Sequence, residues 1–111
     1  MPFEHPYIRI GDLAPEKMDE AQGWAVSEFR VVLSEKENCS STMFHAVFQA
    51  GDRLKKHRHD SCDEQYYVVS GHGLAGAGAD RVEVHAGHYH YIPKGVEHWL
   101  VNLSRNEPLI I

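Results

Sequence analysis

The sequence has no apolar run approaching the ~20 residues that a membrane-spanning helix needs, so no such helix is expected. Its start, "MPFEHPYIRIGD", has no charged head followed by an apolar core, so a secretory signal is not expected there. Cysteine is scarce. The 2 residues, Cys39 and Cys62, form no C-x-x-C pair, and the expectation is two reduced thiols in a cytoplasmic protein. Positive charge is also in short supply: 11 Lys and Arg stand against 16 Asp and Glu, for a net charge of -5. The longest basic cluster, "RLKK" at Arg53–Lys56, is short and interrupted, so neither nucleic acid nor a membrane surface is an expected partner. There is no repeat, linker or low-complexity segment. Helical patterning is nearly missing; one short helix is expected at Pro15–Ala21, where proline in the first turn and nearby acids fit a helix start.

What remains is strand-like. With 42% hydrophobic and 24% charged residues, the chain of 111 can bury a core, and we read 1–111 as one domain with an N-terminal arm over about 1–24. Segments rich in β-branched and aromatic residues run over Glu28–Leu33, Thr42–Ala50, Gln65–Ser70, Arg81–His85, His88–Ile92 and His98–Leu103. Turn residues separate them, among them "AGD", "SGHG", "HAG" and "PKG". Short, closely spaced strands of this kind predict an all-β sandwich or barrel. Alternation puts Glu64, Tyr66 and Val68 on one face and Tyr67 and Val69 on the other, with His98 and Trp99 on opposite faces of the last segment. Both faces are largely apolar. A second layer or a second subunit should cover the outer one, and the Tyr67–Trp99 face predicts a homodimer.

"GHGLAG", Gly71–Gly76, satisfies G-x-G-x-x-G after a strand. Dinucleotide binding requires that the third glycine open a helix inside a βαβ unit. No helical pattern follows, so the glycines are read as a hairpin with positive φ angles.

The chemistry concentrates in "HRHDSCDEQYY", His57–Tyr67, although 9 His in the chain make a chance cluster a competing reading. Two histidines two apart on a strand face the same way. Glu64 can fold back to meet His57 and His59 across a short polar turn. His98, opening an alternating strand after "PKGVE", is the best candidate for a fourth donor. Three imidazoles with one carboxylate suit iron, manganese, cobalt, nickel, copper or zinc, and not calcium or magnesium. Tyr66 shares the face of Glu64, so it is either a core tyrosine or a group at the site. His88 and His90 form a second H-x-H without an acidic partner and read as strand surface, with His90 or Tyr89 able to line the pocket. His45 and His72 read as core or surface residues, with a supporting role behind a ligand as the alternative. Cys62 reads as a turn residue.

These positions resemble the cupins. Their first motif, G-x5-HxH-x3,4-E-x6-G, is matched by Gly51, His57, His59, Glu64 and Gly71. Their second, G-x5-PxG-x2-H-x3-N, is matched by Gly87, Pro93, Gly95, His98 and Asn102. The resemblance spans Gly51–Asn102 and implies a small single-domain double-stranded β-helix barrel. It implies His57, His59, Glu64 and His98 as ligands of one divalent transition metal, and a structural role for Asn102. The chain ends in "EPLII", still in a strand pattern, where cupins of this sort usually continue for another strand or more.

On an octahedral ion four such ligands leave about two open positions, whereas tetrahedral zinc would be filled; this favours iron, manganese or nickel, with zinc, cobalt and copper as alternatives. The resemblance thus implies a metalloenzyme acting on a small oxygenated organic molecule: a dioxygenase, lyase, decarboxylase or isomerase/cyclase. Tyr66 is its candidate catalytic residue. The cupin lyases that cleave dimethylsulfoniopropionate carry a catalytic tyrosine at the equivalent place. The alternative is a non-catalytic ligand-binding or sensory cupin. Arg30, Arg53, Lys55 and Arg58 are candidate anion partners.

Overall fold

Strand pairing is antiparallel throughout the computed structural model, which describes residues 7–111. The first six residues of the expected N-terminal arm lie outside the described residues. Among the described residues the strands are β1 (Glu28–Leu33), β2 (Met43–Phe48), β3 (Arg53–His57), β4 (Glu64–Tyr67), β5 (His72–Ala77), β6 (Asp80–His85), β7 (Tyr89–Ile92), β8 (His98–Val101) and β9 (Leu109–Ile110). They form three sheets in the orders β1-β2-β9, β3-β8-β5-β6 and β4-β7. The fold is all-β, as expected, and no helix among the described residues is long and apolar enough to cross a membrane.

The inner faces close on one apolar core. Phe48, Val68, Ile92, Leu100 and Leu109 are essentially without solvent exposure. Each alternates with outward neighbours, the period-2 pattern of a strand that faces a core on one side only. The outer face of β4 and β7 is different. Tyr67, Val69 and Tyr89 are 56%, 55% and 59% exposed, so no layer of the described residues covers them.

Three expectations are corrected. The helix expected at Pro15–Ala21 is instead a loop that ends in a single 3-10 turn, Glu20–Gln22. A stretch this short gains too few hydrogen bonds to nucleate. Its backbone is also taken by β1: the Glu16 N–H donates to the Phe29 carbonyl at 2.6 Å, and Arg30 Nε donates to the Leu13 carbonyl at 2.8 Å. Second, Arg53–His57 was not read as a strand, yet it forms β3. Third, "HGLAGA" is a strand, β5, and not a hairpin. Positive φ occurs at the flanking Gly71 and Gly78, at 85° and 59°, and the turn to β6 is the two-residue Gly78–Ala79 link. Gly73 and Gly76 serve packing. A Cβ at Gly76 would sit 2.2 Å from the Trp99 ring, which lies across it from β8. Trp99 is therefore occupied within its own chain, with Arg81 above its ring at 5.7 Å.

Asn102 ties the end of β8 to its surroundings. Its Nδ2 donates to the carbonyls of Phe48 and Glu107, both at 2.9 Å, and its Oδ1 accepts from the Ser104 N–H at 2.9 Å. The residue is fully buried, so each bond replaces one that water cannot supply. Those bonds shape the turn that returns the chain to β9 beside β2. Asn102→Ala should cost roughly 3 kcal/mol in chemical denaturation, because it strands buried carbonyls as well as removing bonds. A loss below ~1 kcal/mol would mean that the turn holds without it.

Candidate metal centre

A register slip aims the site. β3 pairs with β8 as Arg53↔Val101 and Leu54↔Leu100, and the next pair is His57↔His98. Simple alternation would place residues 54, 56 and 58 on one face. The bulge between Leu54 and His57 inserts a residue and turns His57 inward beside Leu54. His59 lies beyond the end of β3, so strand alternation does not place it. Its carbonyl accepts the Gly95 N–H at 2.7 Å, which pins the loop carrying one histidine to the turn that precedes another. Glu64 opens β4 and His98 opens β8.

These elements bring the four residues together. The ligand-capable atoms of His57, His59, Glu64 and His98 all lie within 4.8 Å of one another. Glu64 stands between two imidazoles: Oε1 is 3.0 Å from His59 Nε2, and Oε2 is 3.4 Å from His98 Nε2. The His57 and His98 ring centroids are 4.2 Å apart. His57 Nδ1 donates to the Lys55 carbonyl at 2.6 Å and His98 Nδ1 to the Val96 carbonyl at 2.9 Å. A carbonyl only accepts, so each Nδ1 carries the hydrogen, and in the neutral ring the lone pair is then on Nε2. Burial pushes the His57 pKa down, against the pull of the Lys55 carbonyl, and keeps the ring in its neutral, ligating form. His98 is 3% exposed, and its Nε2 has no hydrogen-bond partner. A buried lone pair left this way is costly unless something fills the place. Three imidazoles, one carboxylate and that orphaned nitrogen are chemically suited to a divalent transition ion.

Tyr66 is buried on the same inner face, and its hydroxyl meets His90 Nδ1 at 2.9 Å across the β4–β7 pair. Burial, with the Glu64 charge adding to it, holds the Tyr66 hydroxyl well above the usual phenol range. Burial lowers His90, and the nearby His98 adds to this. A protonated phenol therefore donates to a neutral imidazole. Of the second H-x-H pair, His88 is exposed and accepts the His85 N–H at 3.2 Å, whereas His90 turns inward. Strand parity counted back from the buried Ile92 was the signal for that. Trp24 was missed entirely. It lies edge-on to His57 at 4.8 Å between centroids, with Lys55 Nζ 5.3 Å from its own ring. No motif marks it, because a loop residue far from the histidines in sequence carries the contact.

The remaining candidates lie elsewhere. The partners behind His57 and His98 are backbone carbonyls, while His45 pairs across β1–β2 with Arg30 and His72 stacks on His85 at 5.7 Å. Arg30 is held by Glu28 at 2.7 Å, and Arg58 pairs with Asp60 at 3.1 Å. Arg53 is exposed and bridges to Ala25 through its backbone. Cys39 and Cys62 form no disulfide, and the Cys62 side chain lies exposed at the rim of the cleft above the cluster.

Comparison with known proteins agrees with this geometry. Residues 44–111 match the family model described as "Cupin domain". The chain is 31% identical over 70 residues to Uncharacterized protein MJ1618 of Methanocaldococcus jannaschii; the match covers 63% of this chain and 55% of that protein. The chain thus spans about half the length of this curated relative. A predicted oxalate decarboxylase from Thermotoga maritima superposes with a TM-score of 0.82 at 23% identity, over 95% of this chain and 93% of that one. The polyketide cyclase RemF from Streptomyces resistomycificus superposes with a TM-score of 0.75 at 14% identity, over 95% and 74%. At these identities the two structures speak for the fold.

The orphaned His98 nitrogen yields a stability test. Under chelator, His98→Leu should cost about 1–2 kcal/mol, because removing the unsatisfied Nε2 offsets only part of the lost Nδ1 bond to the Val96 carbonyl. A loss above ~3 kcal/mol in the same urea titration would make His98 a structural residue instead.

Proposed function

The chain belongs to the cupin family, and from that premise we propose that it is a mononuclear metal-dependent enzyme acting on a small oxygenated organic molecule. The observation that carries this reading is the convergence of His57, His59, Glu64 and His98, with the lone pair of His98 Nε2 unsatisfied, beside an open cleft. A bound ion, with iron, manganese or nickel favoured, would supply Lewis-acid polarisation of a substrate oxygen.

The chain's own residues do the rest. Tyr66 is the candidate catalytic residue: its hydroxyl, donated to His90 in this structure, would act as a hydrogen-bond donor on turning to a substrate oxygen. Trp24 packs against His57 and excludes water from one side of that ligand. The structurally similar proteins are named for two different reactions, so the fold does not select between decarboxylation, cyclisation and other chemistry. In this reading the chain pairs with a second copy through the outer face of β4 and β7, where Tyr67 and Tyr89 are register partners and both exposed.

Two measurements test these readings. His59→Ala should lose most of its bound metal by elemental analysis while keeping the β-sheet circular dichroism, since the core is apolar and distant from the substitution. Full metal occupancy in that variant would refute the ligand assignment. In sedimentation velocity at micromolar concentration the parent should run as a dimer, and Tyr67→Lys as a monomer. A monomeric parent would remove the dimer from the proposal.

A further inference from the structure

The cleft beside the four-residue cluster encloses about 1140 Å³, slightly above the ~300–1,000 Å³ common for small-molecule sites. A two- or three-carbon acid would leave most of it empty. Part of the lining is apolar. Phe29 and Phe44 stack there at 5.1 Å with ring planes 21° apart, and Met18, Val31, Leu54 and Trp24 extend the surface. Flat rings placed this way offer offset stacking to another flat ring.

Charge points the same way. The lining carries the carboxylates of Asp19, Glu35, Asp63 and Glu64 against the cations of Lys17 and Arg58. Arg58 is paired with Asp60 at 3.1 Å, Arg30 is held by Glu28 and the Leu13 carbonyl, and Lys55 lies over Trp24. A second carboxylate lying beyond the cluster would need a cationic clamp, best a bidentate arginine. Arg58 is engaged by Asp60, and Lys17 is a single cation among the carboxylates of Asp19, Glu35, Asp63 and Glu64.

We infer that this site takes a planar, largely apolar molecule whose oxygen-donor edge, neutral or singly charged, meets the four-residue cluster, and that small dicarboxylates are not its substrates. This rests on the metal reading above and names the substrate class for it. The aromatic wall seats the body, the cluster fixes one edge, and Tyr66 stands on the same inner face as Glu64.

The test uses the full chain loaded with Ni²⁺, its metal content measured first. Catechol, 2,3-dihydroxynaphthalene and oxalate are then titrated by calorimetry. The two diols share a chelating edge and differ only in apolar body, so their affinity ratio reads the wall alone. The naphthalenediol should bind about tenfold tighter than catechol and at least about tenfold tighter than oxalate. Phe44→Ala should shrink the diol ratio to about threefold or less. Met18→Ser, on the arm, should shrink it too and serves if Phe44→Ala does not fold. Equal affinity for the two diols, or oxalate binding as tightly as the naphthalenediol, would overturn the inference while leaving the metal reading intact. A folded protein that takes up no Ni²⁺ would overturn both.

Discussion

The bulge in β3 decides which way the site faces. Without the extra residue between Leu54 and His57, alternation would turn the His57 imidazole to the outside of the sheet and Lys56 toward the centre. The slip puts His57 directly opposite His98, and the two rings then lie 4.2 Å apart. The Trp24 edge contact with His57 follows from it, and so does the meeting of His57 with the Glu64, His59 and His98 group held by other elements. Bulges cost ladder hydrogen bonds, and they recur where a side chain has to be re-aimed.

Asn102 and the site treat buried polar atoms differently. Both side-chain polar atoms of Asn102 are bonded. In the site a buried nitrogen is left without a partner, and a carboxylate and three imidazoles crowd one place. Satisfied polar networks specify a fold, while unsatisfied groups store free energy that a ligand can release. The two are joined by short connections: His98 and Asn102 lie at either end of the same strand segment, so the turn that stabilises the sheet also holds a candidate ligand in line.

Much of this could be read from spacing. The fixed positions from Gly51 to Gly71 and from Gly87 to Asn102 identify turns and donors at short range, and the structure brings those four donors together. The inward placement of Tyr66 and the outward placement of Tyr67 follow from period-2 alternation alone. The failures share one cause, which is that distant partners override local preference. "HGLAGA" looks like a turn because glycine favours turns, yet Gly76 is there because the Trp99 ring occupies the space where a side chain would go. "PEKMDEA" has helix-start residues, but β1 claims its backbone. His90 is legible from its parity with Ile92 on the same strand, and Trp24 only from the assembled mouth.

The arm before β1 reaches the barrel at a few points and buries Val26 in its core. Among the described residues its ties include the Glu16 N–H to Phe29, the Arg30 side chain to the Leu13 carbonyl, and the Ala25–Arg53 bridge. It nonetheless supplies Met18 and Trp24 to the cleft wall. Selection can therefore alter that wall without disturbing strand register. In a lineage of such chains, ligand preference should drift faster than the barrel beneath it. An engineer seeking a new specificity would begin with that arm.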